Sequence, residues 1–66
     1  MSLINWHNEI KNEDKDKYDN MIEQMLSYDN LDDRMDICDE ILYDIQDNYP
    51  TFYIYLEDEI KDLTIA

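Results

Sequence analysis

Glycine is absent from this 66-residue chain, and proline and cysteine occur once each, as Pro50 and Cys38. Two-residue hairpin turns favour Gly and Asn at their positive-φ positions, and phosphate-cradling loops depend on Gly more heavily. The chain is poorly equipped for both. One cysteine cannot close an intrachain disulfide, and a lone thiol fits a reducing cytosol better than an oxidising exterior. His7 and Cys38 are the only soft metal ligands and lie far apart, which speaks against zinc. No stretch approaches the roughly 20 apolar residues that span a bilayer. Met1 to Trp6 has neither the basic start nor the apolar run of a signal peptide. The expectation is a single cytoplasmic domain over 1–66, without cofactor or membrane contact.

Basic residues are the other scarcity. Five Lys+Arg face eighteen Asp+Glu, a formal net charge of -13. Such self-repulsion works against a compact state and needs a reason. Hydrophobic residues nevertheless reach 44% and recur with a clear period, which predicts a folded chain rather than a disordered one. So small a core predicts marginal stability, and with disulfides and zinc set aside, a homodimer is expected.

The periodicity predicts an all-α bundle of three to four short helices. The first is expected from an N-cap at Ser2, with Leu3, Ile4, Trp6, His7 and Ile10 at helical spacing. Asn12 to Lys17 reads as a charged corner or an exposed first turn. Tyr18, Met21, Ile22, Met25 and Leu26 form the stripe of a second helix. Tyr28 to Asn30 is a corner, with Asp29 or Asn30 capping a third helix that carries Leu31, Met35, Cys38, Ile41, Leu42 and Ile45. That helix should stop near Asn48, ahead of Pro50. Thr51 to Tyr55 has strand propensity, yet Phe52, Leu56, Ile60 and Leu63 share a helical face, and Pro50 suits a first helical turn. A fourth helix is preferred.

The third helix holds the clearest functional signal. Asp29, Asp32, Asp33, Asp36, Asp39, Glu40, Asp44 and Asp47 are opposed only by Arg34. At about 100° per residue these acids fall in an arc of roughly 140°, opposite the apolar stripe. Asp36, Glu40, Asp44 and Asp47 line up along the axis about 5–6 Å apart. The arc spans about 27 Å, over which one DNA strand places about eight phosphates at roughly 3.4 Å each. Asp is a poor helix former, and like charges at i, i+4 repel. The bland alternative is a solvated face, but such a face would intersperse lysine.

Tyr43 sits within the arc, and Tyr49, Tyr53 and Tyr55 cluster near Pro50. Rings beside carboxylates suit arginine, which stacks and pairs at once; Tyr18 and Tyr55 are expected to be packing residues instead. Glu57, Asp58, Glu59 and Asp62 would extend the negative surface if the last helix lies beside the third. Asn12, Asp14, Asp16, Tyr18, Asn20 and Glu23 fall at calcium-loop spacing, but Lys17 occupies the position that requires glycine. His7 is expected to be partly buried, Cys38 a packed thiol, and Met21, Met25 and Met35 core fillers. Direct DNA binding is disfavoured, since phosphates would be repelled.

In size, charge, absence of glycine and the acidic run from Asp29 to Asp47, the chain resembles the small acidic DNA-mimic proteins of bacterial viruses and mobile elements. That resemblance implies inhibition by occupancy inside a bacterial host. Members fill the basic groove of CRISPR nucleases, restriction enzymes, nucleoid proteins or repair enzymes, often as dimers. The expected partner is thus a basic nucleic-acid-binding protein, contacted by Asp32, Asp33, Asp36, Asp39, Glu40, Tyr43, Asp44 and Asp47. The rival expectations are an interaction module using an apolar groove, and a calcium-binding helical module.

Overall fold

A computed structural model describes residues 3–66. They form α1 (Asn12–Leu26), α2 (Leu31–Asn48) and α3 (Tyr53–Ile65), and among the described residues there is no strand. The all-α expectation holds, at the lower helix count.

The expected helix over Leu3 to Ile10 does not form; its proposed cap, Ser2, lies outside the described residues. Instead the segment is an irregular strap that inserts Ile4 and Ile10 into the core. Trp6 fastens it, its Nε1–H donating to Asp19 at 2.7 Å. The Ile10 N–H closes a turn onto the His7 carbonyl at 3.1 Å. Asn, His, Trp and Ile are weak helix formers, and so short a segment cannot sustain a helix alone. Core insertion and the Trp6 bond therefore decide its path.

Asn12 to Lys17 belongs to the start of α1 rather than to a corner. Lys11 precedes it without a side-chain cap, and Glu13 and Asp14 in the first turn face the positive end of the helix dipole. α1 buries Tyr18, Ile22 and Met25. α2 opens at Asn30, whose side-chain oxygen accepts from the Asp32 N–H at 2.8 Å. It ends at Asn48 because Tyr49, preceding Pro50, leaves the helical region, with φ -137° and ψ 57°. Pro50 stands ahead of α3 rather than inside its first turn: residues 49–52 reverse the chain, and the Phe52 N–H bonds the Tyr49 carbonyl at 3.0 Å. Strand propensity after Pro50 gives way because α3 can bury Leu56, Ile60 and Thr64 on one face.

The core joins the strap to all three helices. α2 packs against both other helices more extensively than they pack on each other, leaving its remaining face to solvent.

Candidate functional site

α2 presents two opposed faces. Cys38, Ile41, Leu42 and Ile45 are buried, which holds the helix in one rotational setting. On the far side Asp32, Asp33, Asp36, Asp39, Glu40, Tyr43 and Asp47 are all exposed. Arg34, the only basic residue of α2, folds back to donate from Nε to the Tyr28 carbonyl at 2.6 Å. Ion pairs among the described residues are Lys17–Asp44 and Lys61–Glu57. The exposed acids of α2 enter neither.

Asp44 departs from the expected row. It lies about 80° round the helix from Asp36, at the edge of the arc that meets α1. There Lys17 donates to its carboxylate and Asn48 donates from its side-chain amide. The hydrogen bond to Asp44, and then its charge, raise the Lys17 pKa above the ordinary lysine value. Asp44 is thus an internal strut. The outward row is Asp36, Glu40 and Asp47. Lys17 is 27 residues away in sequence, and nothing local announces the pairing.

The tyrosines divide. Tyr43 is 68% exposed, with Asp39, Glu40 and Asp47 one turn before and after it. Tyr49 does not join an interface: its hydroxyl donates to Asp14 and accepts from the Lys11 N–H at 3.2 Å. The bond to Asp14 is the main reason its pKa rises. Tyr53 donates to Glu57 at 2.7 Å, which lowers the Glu57 pKa and raises its own. Tyr55 meets Phe52 edge-on at 6.1 Å but stays part-exposed. Tyr18 is buried, as expected.

The second acidic cluster does not simply prolong the face of α2. Glu57 is engaged by Tyr53 and by Lys61 at 3.5 Å. Glu59 and Asp62 line a cleft with Leu3 and Ile4, beside the strap. Between α2 and α3 lies a groove of about 330 Å³, lined by Met35, Cys38, Asp39, Lys61, Thr64 and Ile65. Periodicity assigned Met35 to the core, yet it is 48% exposed. Its stretch of α2 lies opposite the end of α3, where no further element covers it.

Two other readings change. The six residues at calcium-loop spacing lie along α1, and a continuous helix points them in different directions. Among the described residues no three His, Cys, Asp or Glu converge on a metal position. His7 is exposed rather than partly buried, stacked on Phe52 at 4.3 Å because the strap is not helical. Comparison with protein-family models, curated proteins and solved structures returned no match.

Proposed function

We propose that this protein is a non-enzymatic, stoichiometric inhibitor that lays the exposed face of α2 in the nucleic-acid groove of a basic host protein, such as a CRISPR nuclease or nucleoid protein. The observation that carries the reading is the set Asp32, Asp33, Asp36, Asp39, Glu40 and Asp47. All are exposed on one face, and the only cation of their helix is turned away. Carboxylates along about 22 Å of helix stand in for phosphates, and Tyr43 offers a ring on which an arginine can stack. Opposite fields steer the two molecules together, giving fast association that weakens with salt. The rival reading, an interaction module working through an apolar surface, draws on the Met35–Ile65 groove and predicts insensitivity to the acids.

Capture from a bacterial lysate at low and high salt tests this reading. A nucleic-acid-binding protein should be retained at low salt and released by added duplex DNA. Asp36→Lys, Glu40→Lys and Asp47→Lys together should weaken its binding at least about a hundredfold, at roughly 1 kcal/mol per reversed contact. Helical circular dichroism should stay unchanged. Asp44 is left intact because its substitution would break the Lys17 contact. Undiminished binding by the triple variant refutes the proposal.

A further inference from the structure

We infer that the groove between the first half of α2 and the second half of α3 seats a cationic amphipathic helix of the partner. Its apolar side chains pack on Met35 and Ile65, and its Lys or Arg side chains meet the acids of the rim. This deepens the proposed function and rests on it for the identity of the partner.

The groove is built for apolar contents. Ile65 is 69% exposed, Met35 48%, and Leu31, one turn before Met35, 47%. The floor is Cys38 and Thr64, both buried. Thr64 leaves no polar demand, since its hydroxyl lies at 2.8 Å from the Ile60 carbonyl and 3.2 Å from Met25 Sδ. About 330 Å³ is an order of magnitude more than the ~30 Å³ share of a water molecule. From Leu31 to Cys38 the strip runs about 10 Å, two helical turns, the length over which a helix places anchors at i, i+3 or i+4.

Charge selects the occupant. Asp39 lines the groove on α2, Asp32 lies two turns before it on the same side of that helix, and Asp58 lies one turn before Lys61 on α3; all three are exposed. The last turn of α3 holds no basic residue, so its terminal carbonyls add negative potential. Lys61, the one cation in the groove, already lies 3.5 Å from Glu57. A second copy would bring a net charge of -13 against this rim, whereas a cationic helix is drawn to it.

The test titrates the intact protein with a fluorescein-labelled Leu/Lys amphipathic peptide of about 14 residues, four helical turns. Its control is the same peptide with serine for leucine. The control should bind at least about tenfold more weakly. The variant Met35→Glu/Ile65→Glu alters two exposed positions and adds negative charge. It should weaken the leucine peptide by at least the same factor, with circular dichroism unchanged; Ile65→Ser serves as the milder second variant. Attraction by charge alone would leave Met35→Glu/Ile65→Glu binding as tightly as the parent or tighter, which overturns the inference. So would a dimer in sedimentation that this variant abolishes, since the occupant would then be a second copy. A lysate partner lost with the lysine triple variant but kept by Met35→Glu/Ile65→Glu sinks the groove alone. The converse sinks the acidic-face reading.

Discussion

Tyr18 and Trp6 touch at the bottom of the strap, their ring centroids 5.5 Å apart, and only one of them has its polar atom provided for. The Trp6 N–H reaches Asp19. The Tyr18 hydroxyl is buried and makes no hydrogen bond of good geometry among the described residues, the Asn48 side chain being only a loose polar contact. Burial pushes its pKa up, the Asp44 and Asp14 charges add to that, and Asn48 acts in the opposite sense. A buried hydroxyl without a partner costs about 1–3 kcal/mol. Tyr18→Phe keeps the ring and removes the cost, so urea unfolding should show a gain of about 1 kcal/mol. A loss of similar size would mean that the hydroxyl is bonded in solution. Lys17, the residue before Tyr18, and Asp44 of α2 show how one contact removes a residue from the functional face without altering its helix.

At the scale of the elements, corners and faces were legible from local chemistry. Of the two cap candidates, Asp29 and Asn30, it is Asn30 that caps α2, and Asn30→Ala should cost about 1 kcal/mol of stability. Thermal melting checks this; an unchanged midpoint would show that core packing alone sets the start of α2. The buried stripes of α1 and α2 follow their 3.6-residue period. The strap was misread for a definite reason. Ile4 and Ile10 fit the spacing of a helical face, but spacing records only which residues are buried; the irregular chain buries both and leaves Leu3 of the same stripe exposed. Met35 failed the opposite way, on a true helical stripe that runs beyond the reach of its neighbour.

The molecule as a whole carries -13 within an envelope of 32 × 22 × 16 Å. Repulsion at these distances is felt in dilute salt, where the screening length is about 30 Å at 0.01 M, and is largely removed near 1 M, where it is about 3 Å. The melting temperature should therefore rise with sodium chloride at neutral pH. It should also rise as pH falls from 7 toward about 5, where carboxylates begin to take up protons. Among the shifted groups, the carboxylate Glu57 and the ammonium Lys17 do not oppose this. Glu57, lowered chiefly by the Tyr53 bond, contributes stability that is full above the ordinary carboxylate range and lost only as pH falls through its depressed value. Lys17, raised by Asp44, contributes below the ordinary lysine range and loses this only as pH climbs through its raised value. Melting temperatures that peak at neutral pH and fall with salt would show native ion pairs outweighing repulsion.

Helical class, the extents of α2 and the placement of most of its acids opposite its core followed from the sequence alone, because periodicity, caps and Pro50 act over one or two turns. What only the tertiary structure decided lies where distant segments meet. Asp44 is paired with Lys17 of α1, Tyr49 is tied to Asp14, the strap is held by Trp6, and Met35 is left open beside Ile65. Each outcome depends on which side chain a neighbouring element happens to bring within a few ångströms, and no local pattern encodes that.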